Sequence, residues 1–222
     1  GVHTHLVDVK TPRDHICTRV EIIPVEVKNR KGVSVIDVDE SPRGDTSLEA
    51  LGKLRPAFVG DAPDDVDEHV VTAGNAPGLN DGAASVVVAS LEYAQAHGLE
   101  VEALISGYAT GATAPKDLFF APIVAVQNLM QAQGKVIGDY DLLEVNEAFA
   151  VQAIADMRAL EMDESRVNVN GGAVALGHPI GASGTRILVT LLNAMAQNDA
   201  SSGMATLCLG GGNAVALSVE KL

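Results

Sequence analysis

The sequence predicts an α/β fold, a layered domain built on a mixed sheet, and three observations predict it. From about residue 99 onward, short apolar runs of strand length alternate with longer runs of helical period. Glycine-rich stretches follow two of the predicted strands, at 171–184 and 210–212. The chain closes on two apolar runs either side of Gly210–Gly212, which reads as a hairpin and not as a further crossover.

The elements follow in order. "VEIIPVEVKNRKGVSVIDVDE" alternates apolar and polar residues around a Lys31-Gly32 turn, which predicts a β-hairpin. "SPRGDTSLEALGKLRPAF" predicts a turn, then a short helix capped by Thr46 or Ser47 and stopped by Pro56. "VGDAPDDVDEH" is an acidic surface loop. A glycine-rich stretch then enters a buried strand at Ala84–Ala89, and "LEYAQAHGL" predicts a helix ending at Gly98. "VEALISGYAT", "YDLLEVN" and "RVNVN" predict strands. "APIVAVQNLMQAQG", "EAFAVQAIADMRAL" and "GTRILVTLLNAMAQ" predict helices, the second with Phe149, Ile154, Met157 and Leu160 on roughly one face.

Composition narrows the function. Hydrophobic residues make up 47% of the 222 and aromatics only 3%, with no Trp, so the core is built from Ala, Val, Leu and Ile. The formal net charge of -14 argues against nucleic acid and anionic membrane surfaces as partners. No charge-free apolar run reaches the ~18 residues of a membrane span, and no signal-peptide pattern opens the chain. Two cysteines, Cys17 and Cys208, make neither a disulfide framework nor a metal cluster, and a reducing cytoplasm is the simplest compartment.

Three places could carry chemistry: Asn146-Glu147, Gly177-His178-Pro179, and Cys208 with the glycines after it. All lie at strand-to-loop junctions, where layered α/β proteins bind ligands. Each also has a structural reading. A lone histidine is more often a hydrogen-bonded structural residue, but His178 sits in a rigid apolar loop that suits a proton carrier. A strand cysteine is usually a small buried hydrophobe, but the glycines that follow Cys208 could aim backbone N–H groups at an oxyanion. Asn146 at a helix start is usually an N-cap. "GHPIGASG" lacks the Lys-Ser/Thr of a P-loop and is not GxGxxG, which excludes nucleotide hydrolysis and the dinucleotide fold.

"NEAFA" at 146–150, "NVNGGAVALGHPIGASGTR" at 168–186 and "CLGGGNAVAL" at 208–217 together resemble the thiolases, the acyl-CoA C-acyltransferases. "PRGDTSLEALGKLRPAF" at 42–58 and "VTAGNAPGLNDGAA" at 71–84 match the same family, and the resemblance runs from about Val20 to Leu222. It implies a layered αβα fold with a mixed five-stranded sheet. Residues 99–222 are then a complete C-terminal domain, and 80–98 the last strand and helix of an N-terminal domain that is mostly absent. Residues 1–79 are part of the CoA-binding loop domain, with 1–19 matching poorly.

The resemblance also implies roles. His178 matches the histidine that activates a nucleophilic cysteine and helps bind a thioester oxygen. Asn146 matches the asparagine that holds a water in that oxyanion site. Cys208 matches the cysteine that moves the α-proton of the attacking acetyl group, and Gly210 offers its N–H to a second oxyanion hole. Arg43, Phe58, Ala73, Leu79, Leu118 and Phe149 match positions that contact coenzyme A or line the pocket. "DLFFAP" replaces a usual Gly-rich run. The implied substrates are CoA thioesters, with no bound cofactor and no metal, and the full-length form is a homo-oligomer of fatty acid metabolism. Thiolases carry the acyl group on another cysteine in an earlier segment, which Cys17 does not match. Three readings follow: the C-terminal part of an acetyl-CoA acetyltransferase that works with its missing N-terminal half, an inactive thiolase fragment or CoA-binding remnant, or a different acyl-CoA enzyme using His178 and Cys208 without acylation.

Overall fold

A computed structural model describes residues 22–61 and 68–222. Cys17, residues 1–19 and most of the acidic loop lie outside the described residues. The first elements are an exposed antiparallel hairpin, β1 (Val25–Asn29) and β2 (Gly32–Ile36). Asn29 pairs with Gly32, so the turn residues are Arg30 and Lys31, one position earlier than the sequence suggested. The Asn29 carboxamide accepts from Lys31 N at 2.8 Å and closes the turn locally. Helix α1 (Leu48–Leu51) follows, capped by Ser47, whose hydroxyl accepts from Ala50 N. Helix α2 (Leu91–Ala96) is capped in the same way by Ser90.

The core lies in the remainder. Its strands are β3 (Leu104–Ala112), β4 (Leu142–Val145), β5 (Ser202–Leu209) and β6 (Asn213–Glu220), in spatial order β3-β6-β5-β4. β4 and β5 run parallel, while β6 pairs antiparallel with both β5 and β3. The helices are α3 (Ala121–Gln133), α4 (Ala150–Ala159), α5 (Ala173–Leu176) and α6 (Ser183–Gln197).

Strand alternation sets the layers. Met204 of β5 and Leu143 and Val145 of β4 join one cluster with Val126 and Leu129 of α3 and Ala153 and Met157 of α4. Ala205 of β5 and Leu142 of β4 join a second cluster with Ile187, Leu191 and Met195 of α6. The sheet is therefore covered on both faces, as parallel strands require. Small residues at the first interface (Ala109, Ala121, Ala125, Ala214 and Ala216) let α3 lie close to the sheet. On α6 the buried side chains Ser183, Ile187, Thr190, Leu191, Ala194 and Met195 follow helical spacing along one stripe.

The α/β class and the mixed sheet are as expected, but among the described residues the sheet has four strands and not five. In the fifth position, beside β4, one parallel bridge joins Leu143 to Val167. "RVNVN" cannot extend it. Glu164–Arg166 form a 3-10 turn capped by Asp163, and Asn168 adopts a left-handed φ of 48°. The Asn168 side chain substitutes for the missing strand: its Oδ1 accepts from Val145 N at 2.8 Å and its Nδ2 donates to Val145 O at 2.9 Å.

The strand expected over Ala84–Ala89 does not form, and Val87 is 93% exposed. A strand needs a neighbour for its backbone groups, and none lies beside this segment among the described residues. The segment instead lines a cavity of about 640 Å³ with Leu99–Ile105 and with Leu188 and Leu192 of α6.

Candidate active site

The parallel pair β4 and β5 brings two sequence motifs to one edge of the sheet. Val145 is in register with Thr206, and Asn146 N continues the ladder by donating to Thr206 O at 3.0 Å. Asn146 therefore leaves the sheet beside the end of β5, where Cys208 stands two residues beyond Thr206. The Asn146 side chain is 1% exposed, and among the described residues neither Oδ1 nor Nδ2 has a hydrogen-bond partner. A buried amide left so costs about 1–3 kcal/mol, so its donor and acceptor suit a group from outside the chain.

Glu147 fastens this edge to the glycine loop. Its carboxylate is 3% exposed and accepts from Asn168 Nδ2 at 3.0 Å and from Val174 N at 2.9 Å. Gly172 is required there, because a Cβ would lie 2.1 Å from the Glu147 carboxylate. One acidic side chain thus sets the start of α5 against the end of β4.

α5 ends at Gly177, whose φ of 100° turns the chain toward His178. The Asn80 amide packs against Gly177, and its Oδ1 accepts from His178 N at 3.3 Å. His178 Nδ1 lies 2.6 Å from Ser183 Oγ, and Ser183 Oγ lies 3.0 Å from Pro179 O. A carbonyl can only accept, so the single hydroxyl proton goes to Pro179 and Ser183 accepts from Nδ1–H. That assigns the lone pair of the neutral ring to Nε2. Burial, and next the positive charge of Arg186, hold the His178 pKa below its usual value. The ring is a neutral base in the physiological range.

Cys208 lies opposite Ala214 in the β5–β6 hairpin and is half-buried. Burial, and then the negative charge of Asp156, push its thiol pKa up. Gly210 is exposed at the start of the turn, and Gly212 O accepts from Thr113 N at 2.7 Å, which anchors the turn to the end of β3.

Three of the four phenylalanines cluster beside these groups. Phe149 packs edge-to-face with Phe58 at 6.4 Å and with Phe119 at 5.3 Å between ring centroids. Leu118 is half-buried next to Phe119 in the 3-10 segment Pro115–Phe120. Ala73 is exposed in a turn whose Asn75 O accepts from Ala150 N at 3.0 Å, at the start of α4. Leu79 is 96% exposed beside Asn80. Arg43 stays at the surface in an ion pair with Asp45 at 3.2 Å. Among the described residues, no hydrogen bond or ion pair joins Arg43 to the segments above.

The structure adds four residues that the sequence did not single out: Asn80, Phe119, Asp156 and Ser183. Ser183 carried a signal, since a hydroxyl five positions after His178, where α6 begins, can turn back on the ring. Asp156 carried one too, a carboxylate one residue from Met157 on the apolar face of a predicted helix. Asn80 and Phe119 are distant in sequence from what they touch. None of the predicted site residues lines the 640 Å³ cavity.

Known proteins resemble this chain over most of its length. Residues 99–221 match the family model "Thiolase, C-terminal domain" and residues 12–92 match "Thiolase, N-terminal domain". The chain is 51% identical over 201 residues to an acetyl-CoA acetyltransferase of Paracoccus denitrificans, covering 90% of this chain and 50% of that protein. It is 50% identical over 202 residues to an acetyl-CoA acetyltransferase of Escherichia coli K12, covering 91% and 50%. Its fold is similar to the crystal structure of the Bacillus anthracis acetyl-CoA acetyltransferase, with a TM-score of 0.83 and 42% identity over 91% of this chain and 50% of that one. The chain spans about half the length of the relatives it matches.

Proposed function

The chain belongs to the thiolase family, and on that premise we propose that it supplies the C-terminal half of an acetyl-CoA C-acetyltransferase site. The reaction is the Claisen condensation of two acetyl-CoA to acetoacetyl-CoA and CoA, or its reversal by thiolysis. The observation that supports the reading is the shared edge of β4 and β5, where a buried Asn146 amide without a hydrogen-bond partner among the described residues leaves the sheet beside the end of the strand that carries Cys208.

In thiolysis, an acyl-carrying cysteine outside these 222 residues adds to the ketone carbon of acetoacetyl-CoA. His178 Nε2, left with its lone pair by the Ser183 contact, takes the proton of that thiol. The bond between C2 and C3 breaks, and its electron pair moves to C2 as an enolate. The Cys208 thiol, kept protonated by burial and by Asp156, gives its proton to C2 and releases acetyl-CoA. The thiol of free CoA then gives its proton to the Cys208 thiolate and takes the acyl group, and the departing thiolate of the carrying cysteine recovers its proton from His178. Gly210 N–H stabilises the C3 oxygen as the carrying cysteine adds, and Asn146, through a bound water, stabilises the thioester oxygen of the enolate as charge develops on it. Condensation runs the same steps backward, with the Cys208 thiolate taking the α-proton.

Phe58, Phe119 and Phe149 form one wall of the acyl pocket and favour a short acyl group. Supplying the N-terminal half of the Paracoccus enzyme tests the reading. Thiolysis of acetoacetyl-CoA is expected with both halves and not with the 222 residues alone. Turnover by the lone chain would contradict the division of roles.

A further inference from the structure

Asp156 is 0% exposed on α4, and its Oδ1 has no hydrogen-bond partner among the described residues. Its other oxygen accepts from Gln152 Nε2, one helical turn back. Gln152 Oε1 in turn accepts from Ala148 N at 3.1 Å, within the loop that carries Asn146. The carboxyl group is therefore held in one place by a side chain that also holds the candidate site. Its helix packs on the face of β5 that carries Cys208. Met204, Thr206 and Cys208 alternate onto one face of β5, and Met204 packs with Ala153 and Met157, which flank Asp156 on α4.

We propose that Asp156 is a positioning residue that governs how readily Cys208 gives up its proton. The inference rests on the reading of Cys208 as the proton-moving thiol. When Asp156 is ionised, its charge opposes the thiolate; when it is neutral, that opposition is gone. Burial raises the Asp156 pKa to about 7, against a smaller lowering by Gln152, so both states are populated near neutrality. Other ionisable groups are few. α3 carries none, β5 offers only Cys208, and the segment before α3 offers the exposed Lys116 and the half-buried Asp117. Glu144 of β4 lies toward Arg186, Glu147 is held by Asn168 and Val174, and Glu220 of β6 pairs with Lys135. Tyr140 is buried in the same core cluster, and Arg158 is exposed on α4.

The test is the pH profile of Cys208 alkylation by iodoacetamide, in the full chain with Cys17→Ser, with and without Asp156→Asn. Alkylation reports the thiolate fraction and needs neither substrate nor turnover, so it stands or falls apart from the acetyltransferase reading. The expected wild-type profile bends near pH 7, where Asp156 ionises. Asp156→Asn removes the bend: the two profiles coincide well below pH 7, and the variant reacts faster above it. Equal rates at every pH, or a constant offset at every pH, would overturn the proposal. If Asp156→Asn does not fold, the wild-type profile decides alone, and a straight line of unit slope through pH 7 overturns it.

Discussion

Ser183 Oγ stands 2.6 Å from His178 Nδ1 while giving its own proton to Pro179 O. The hydroxyl holds the ring by the nitrogen that does no chemistry. Ser183→Ala is expected to lower kcat of the reconstituted enzyme about tenfold, the worth of one orienting hydrogen bond of ~1 kcal/mol or slightly more. ¹⁵N NMR of the His178 ring should show the Nδ1–H tautomer in the parent and a mixture in the variant. An unchanged tautomer would mean that something else orients the ring.

Glu147 and Gly172 should fail together. Glu147→Ala leaves Val174 N without its acceptor and Asn168 Nδ2 with only Val145 O, at a cost of about 2–4 kcal/mol. Gly172→Ala drives a methyl group into the same carboxylate. Urea unfolding of both single variants and the double checks this. The double variant should lose less than the sum, because the alanine methyl has no carboxylate to strike once Glu147 is gone.

Asp156 makes stability depend on pH in a stated direction. Its pKa is about 7 in the fold against an ordinary 3.8, so between those values the folded chain holds a proton that the unfolded chain has lost. Its contribution is complete below about pH 4, falls by ~1.4 kcal/mol per pH unit as pH rises, and levels off above about pH 7. Urea midpoints at pH 5 and pH 8 should therefore differ less in Asp156→Asn than in the parent. His178, with its lowered pKa, slopes the other way in acid but is common to both proteins. A parent and variant with equal pH dependence would show that the carboxyl is not buried as described.

Phe119 stacks edge-on against Phe149 at 5.3 Å and is only half-buried. Phe119→Ala opens that wall. Each methylene that a pocket admits or refuses is worth about 1–3 kcal/mol, so kcat/KM for six-carbon over four-carbon 3-ketoacyl-CoA should rise about tenfold or more. An unchanged ratio would place Phe119 outside the acyl pocket.

The elements that could be read in the sequence are those whose partners are near in sequence or repeat with a period. β5 and β6 announce themselves by their glycine turn, and α6 by Ile187, Leu191 and Met195 on one stripe. "RVNVN" has the composition of a strand, but Asn168 stops it by bonding Val145 with its side chain, 23 residues away. Ala84–Ala89 has strand composition too and finds no neighbouring strand among the described residues. The candidate site divides in the same way. His178, Asn146 and Cys208 were visible in their motifs, whereas Phe119 depends on a ring 30 residues on, and Asn80 on a loop 98 residues on. Such contacts leave no local pattern.

The most direct measurement of the central claim is thiolysis of acetoacetyl-CoA by the chain combined with a thiolase N-terminal half, in the parent and with Cys208→Ala or His178→Ala. Turnover is expected in the parent, with a loss of at least about a hundredfold in each variant. Turnover that survives either substitution would overturn the proposed roles, because that side chain would then not be moving a proton.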